Sequence, residues 1–88
     1  MTTREVQVKN RLGLHARAAA RFVHAANRFR SRVLVSRDDR SMDGKSILGI
    51  LLLAASQGTR LVLSAEGDDE EACIRALATL VETGFGEG

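Results

Sequence analysis

The 88-residue chain has no tryptophan, tyrosine or proline, and its only aromatics are Phe22, Phe29 and Phe85. With no aromatic-bearing strand on which bases can stack, it is a poor candidate for nucleic-acid recognition. Cys73 is the only cysteine, so there is no internal disulfide. No Cys/His cluster suggests structural zinc, and no metal or cofactor is expected. The longest apolar run, Ile50 to Ala55, is far shorter than the ~20 residues of a membrane span. The start, MTTREVQVK, lacks the apolar segment of a secretory signal, so the cytoplasm is the expected location. A chain of this length supports one core, and residues 1–88 read as a single domain built on aliphatics.

Charge is present but unevenly placed. Residues 1–45 hold eleven Lys/Arg against four Asp/Glu, whereas 46–88 hold two against seven. Eleven of the thirteen cations are arginine, whose planar fork suits carboxylate or phosphate. A basic half therefore points to an anionic ligand or an acidic partner.

Hydrophobic periodicity divides the chain. Residues 4–9 alternate, with Val6 and Val8 on one face, and read as a strand. A glycine-bearing loop, 11–15, follows. Ala19, Phe22, Val23 and Ala26 then recur at helical spacing and predict a helix over about 16–28. Residues 32–37 alternate, Asp38-Asp39 is a tight turn, and 40–43 is a return strand. Residues 44–58 predict a second helix, of two or so turns, capped by Ser46 and stopped at Gly58. Residues 60–66 alternate again. Residues 67–84 predict a third helix, with acids in its first turn and Gly84 at its end. The tail 84–88 reads as frayed. The order β-α-β-β-α-β-α suits a two-layer α/β sandwich, with a four-stranded antiparallel sheet covered on one face by three helices.

His15 falls at the N-cap of the first helix. The backbone N–H groups of Ala16, Arg17 and Ala18 have no intrahelical partner and, with the helix dipole, form an anion site. A neutral imidazole beside such a site, with the Arg17 guanidinium two residues on, is able to accept a phosphoryl group as a nucleophile. On spacing alone, an inert surface histidine is the other reading, and the bare pattern leaves it open. Ser46 suits a helix cap. The tripeptide Gly44-Lys45-Ser46 is not the end of a phosphate-binding P-loop, because Asp39 stands where that motif's first glycine belongs. Ile47, Leu48, Leu51 and Leu52 do not fit one narrow stripe, so a short helix must expose some of them. His24 reads as a solvated helix residue and Cys73 as a buried, inert thiol.

The segment GLHARAAARF (13–22) resembles the active-site signature of the HPr family, the phosphocarriers of the bacterial phosphoenolpyruvate-dependent sugar phosphotransferase system. DGKSILGILLLAASQGT (43–59) is similar to that family's second signature, around its regulatory serine. The resemblance covers residues 4–83. It implies an open-faced β-sandwich and a monomeric relay protein rather than an autonomous enzyme. His15 would take a phosphoryl group on Nδ1 from phosphorylated enzyme I and pass it to a histidine of an enzyme IIA domain, with Arg17 screening the charge. Ser46 matches the serine modified by an HPr kinase/phosphorylase. Ile47, Leu48 and Leu51, with Gln57 nearby and Arg17, Arg21 and Lys45 around them, would dock the partners. The signature usually has proline where this chain has Ala18, which gives up a preset helix start and restores a backbone donor. The alternative within the family is a regulatory binder of the nitrogen-related branch, for which His15 phosphorylation is a signal.

Overall fold

A computed structural model describes residues 1–87 of the chain; Gly88 lies outside them. Four strands, β1 (Thr2–Gln7), β2 (Arg32–Arg37), β3 (Arg40–Asp43) and β4 (Arg60–Glu66), form one sheet in the order β1-β4-β2-β3. Every neighbouring pair is antiparallel. Helices α1 (Ala16–Ala26), α2 (Ile47–Leu52) and α3 (Glu70–Glu82) complete the expected β-α-β-β-α-β-α order, followed by a 3-10 turn at Gly84–Gly86.

The two periodicities of the sequence meet in the core. Val33 and Val35 of β2 and Leu61, Leu63 and Ala65 of β4 point inward, while Leu34 between them is 41% exposed on the open face. The α1 stripe Ala19, Phe22, Val23 and Ala26 and the α3 stripe Ile74, Leu77, Ala78 and Val81 close over these strands. Each fully buried Leu or Phe contributes about 1.5–3 kcal/mol.

Element ends depart from expectation where tertiary contacts intervene. β1 starts at Thr2 rather than residue 4, because its pairing with β4 runs from Thr2 opposite Ala65 to Gln7 opposite Arg60. Val8 is in the core, beyond the strand. α1 ends at Ala26, not 28: the chain turns, and Asp69 takes the N–H groups of Arg30 and Ser31 at 2.9 and 3.0 Å. α3 starts at Glu70 rather than 67: Gly67 sits at φ 157 and Asp69, the N-cap, is non-helical, its side chain engaged in that contact and making no cap bond. α2 stops at Leu52, well short of Gly58. The Arg37 guanidinium donates to the carbonyls of Leu53 and Ala54 at 2.9 and 2.8 Å, and Arg40 donates to that of Leu52. These arginines satisfy the orphan carbonyls of a helix end, and Ala54 turns the chain away at φ 51.

Residues 84–87 of the tail are ordered rather than frayed; Gly88 lies outside the described residues. Phe85 is 2% exposed and sits at φ 57 between two positive-φ glycines. Burial of that ring outweighs the glycine-rich composition around it. The Arg21 guanidinium donates to the Phe85 carbonyl, and the Glu87 N–H to the carbonyl of Gly84.

Candidate functional site

The loop before α1 is held against the segment that follows α2. Gly13 adopts φ +67, and a Cβ there would lie 2.4 Å from the Ala55 carbonyl oxygen. The same oxygen accepts the Leu14 N–H at 2.9 Å. Leu14 is buried, which fixes the next residue, His15, at the mouth of α1.

His15 is the N-cap of α1, in extended conformation, as the sequence indicates. The first intrahelical bond runs from the Ala19 N–H to the His15 carbonyl at 2.8 Å. Nδ1 of His15 accepts the Arg17 backbone N–H at 3.3 Å. Nε2 faces the carboxylate of Glu87, 2.9 and 3.0 Å from its two oxygens. A carboxylate only accepts, so Nε2 carries the proton and the Nδ1 lone pair faces the helix end. Arg11, Leu12, His15, Ala16, Arg17 and Glu87 line a shallow cavity of about 700 Å³ here. Ala18 is fully buried beneath it. Hydrogen bonds from His15 first, and Asn10 next, hold the Glu87 carboxyl below the usual carboxylate range.

Arg11, Leu12 and Glu87 were not singled out by sequence reasoning. Arg11 and Leu12 lie beside the motif in the loop, whereas Glu87 arrives from a tail 72 residues away. The only local signal in that tail is a phenylalanine, rare in this chain, set between glycines.

Ser46 caps α2, its Oγ accepting the Gly49 N–H at 3.1 Å. Ile47, Leu48 and Leu52 are 42%, 67% and 54% exposed, and Leu12, in the loop before His15, is 67% exposed.

A family model described as the PTS HPr component phosphorylation site matches residues 2–83. The chain belongs to the HPr phosphocarrier family. HPr of Pseudomonas aeruginosa is 46% identical over 100% of this chain and 99% of its own. HPr-C-His from Thermoanaerobacter tengcongensis has a TM-score of 0.96 at 49% identity, covering 100% of this chain and 99% of its own. A structure described as the HPr dimer from the same organism has a TM-score of 0.79 at 49% identity, covering 99% of this chain and all of its own.

The other residues of the HPr resemblance sit less uniformly. Leu51 is half-buried against the core, so Leu52 rather than Leu51 extends the exposed patch of Ile47 and Leu48. Lys45 donates from Nζ to the Phe29 carbonyl at 2.8 Å, and Arg21 is engaged with Phe85, so both cations are tethered to their own chain. Gln57 is exposed and donates to the Lys9 carbonyl. His24 is exposed on α1. Cys73 is buried, and burial pushes its thiol pKa up. Among the described residues, no cluster of three His, Cys, Asp or Glu suits a metal ion, and no helix is long and apolar enough to cross a membrane.

Proposed function

We propose that the chain carries phosphoryl groups on Nδ1 of His15. The observation that supports this most is the pair of contacts on the ring: Nε2 bound by Glu87 and Nδ1 turned to the α1 N-terminus. The Nδ1 lone pair attacks phosphorus while the bond to the donor's nitrogen breaks. The phosphoryl oxygens then meet the N–H groups of Ala16 and Arg17, which line the cavity, and the positive helix end, while buried Ala18 backs the turn. Arg17 and Arg11, both on the cavity wall, add cationic charge. The donor is phosphorylated enzyme I, charged from phosphoenolpyruvate, and the acceptor is an enzyme IIA domain. Both dock over the exposed Ile47, Leu48 and Leu52, with Leu12 beside His15. The protein acts as a relay in the cytoplasm, as one domain and as a monomer. Sedimentation of the purified protein decides between that and a dimer like the one described for the Thermoanaerobacter protein. Ser46, at the edge of the patch, is the site of regulatory phosphorylation by an HPr kinase/phosphorylase.

The test is incubation with enzyme I and phosphoenolpyruvate, followed by intact mass. The parent gains an acid-labile phosphoryl adduct. His15→Ala gains none and loses about 1 kcal/mol of stability, the scale of a missing helix cap. An adduct on folded His15→Ala overturns the assignment.

A further inference from the structure

The tail that brings Glu87 to His15 is anchored independently of that contact. Phe85 is buried, its carbonyl accepts from Arg21, and the Glu87 N–H closes a turn onto Gly84. Asn10, only 2% exposed, donates from Nδ2 to Glu87 Oε1 at 2.8 Å and to the Gly13 carbonyl at 2.7 Å. Asn10 thus links the carboxylate to the loop that carries His15. Both Glu87 oxygens lie within 3.0 Å of Nε2. An anchored carboxylate on one ring nitrogen fixes which nitrogen keeps the proton.

We propose that Glu87 is a positioning residue for His15, holding the proton on Nε2 both before and after Nδ1 takes the phosphoryl group. The inference rests on the phosphocarrier reading above. Before transfer, the contact keeps the Nδ1 lone pair available and the ring turned to the helix end. Once the Nδ1–P bond has formed, Nε2 retains its hydrogen, the ring is a cation, and Glu87 is its counter-ion. On onward transfer the acceptor's nitrogen attacks phosphorus, the Nδ1–P electron pair returns to Nδ1, and a neutral imidazole leaves. No proton is gained or lost by the ring in either direction. A neutral leaving group departs more readily than an imidazolate would. Glu87 therefore supports both the loading of the ring and its discharge.

The experiment compares the parent with Glu87→Ala and Glu87→Gln. Long-range proton–nitrogen spectra of the unphosphorylated proteins read the tautomer of His15. Transfer from phosphorylated enzyme I, followed against pH, reads the charge pairing. The parent shows the Nε2–H tautomer. In Glu87→Ala the Nδ1–H tautomer becomes populated, opposed only by the Arg17 N–H that faces Nδ1, its equilibrium phosphorylation falls roughly fivefold, the scale of a partly exposed ion pair, and the alkaline limb of its transfer profile moves to lower pH. Glu87→Gln retains an oxygen acceptor without charge, so it keeps the tautomer and shows the same fall in phosphorylation. A Glu87→Ala variant with parental ring spectra and a parental pH profile overturns the proposal, as does a Glu87→Gln variant that transfers like the parent. If the parent itself takes no phosphoryl group, the phosphocarrier reading fails. The proposal falls with it in its second half, while the ring spectra still decide whether Glu87 sets the tautomer.

Discussion

Replacing Gly13 by alanine tests how the His15 loop is held, and Gly58→Ala is its control. Both glycines have left-handed φ, +67 and +90, so alanine pays a similar backbone strain of roughly 1–2 kcal/mol at either position. Their surroundings differ. A Cβ at Gly58 meets nothing within 4 Å, whereas one at Gly13 lies 2.4 Å from the Ala55 oxygen and 2.9 Å from Ser56 Cα. Both are backbone atoms, so no side chain can swing aside. The two segments must part, which removes the Leu14 to Ala55 hydrogen bond, worth about 1 kcal/mol. The buried Asn10 amide then loses its fit to the Gly13 carbonyl, at a further ~1–2 kcal/mol.

Gly13→Ala is therefore expected to lie about 2–3 kcal/mol below Gly58→Ala in urea unfolding. For a domain of this size that is a melting-temperature gap of roughly 10–20 °C. At temperatures where Gly13→Ala is still folded, the displaced loop should also slow phosphorylation, which Gly58→Ala should leave near parental. Two variants of equal stability, within about 0.5 kcal/mol, would refute the reasoning and leave the Gly13 contact as a loose fit.

Two further perturbations have definite signs. Ser46→Ala should cost about 1 kcal/mol by removing the bond from the Gly49 N–H, while Ser46→Asp, also a good cap, should hold the melting curve near parental. Ser46→Asp should nonetheless weaken binding to enzyme I, with the loss relaxing as the Debye length shrinks from ~10 Å at 0.1 M salt to ~3 Å at 1 M; parental affinity at low salt would reduce Ser46 to a cap. In acid, Glu70 is the group to follow, its pKa lowered from 4.5 to about 2, chiefly by the Thr2 hydroxyl, then by the Gly67 N–H and the N-terminal amine. A folded-state pKa below the unfolded one gives stability that is present above pH 4.5 and lost as the pH falls toward 2. Urea midpoints measured across that window should fall less steeply for Glu70→Gln than for the parent, and equal slopes would exclude the contact.

What was legible in the sequence was whatever a residue's own neighbours decide. The stripes of α1 and α3 and the alternation of β2 and β4 lie in the chain at fixed spacing, and the buried residues follow them. His15 and Ser46 were legible as caps because a cap is defined by the next three residues. The misreadings lie where a distant group decides. α2 carries apolar residues on to Ala55, yet it stops at Leu52, because the ends of the β2–β3 hairpin supply Arg37 and Arg40 to its last carbonyls. No count of helix formers within 44–58 contains that information. The tail shows the same limit with a larger consequence for chemistry. Glycine-rich composition describes the freedom of an unattached segment; Phe85 attaches it, and attachment places Glu87 on His15. The half of the site proposed to take a phosphoryl group is therefore local, written in the four residues His15 to Ala18. The half that sets the proton on its ring is a property of the folded chain alone, which is why the exchange of one tail carboxylate is the sharper probe of how this site works.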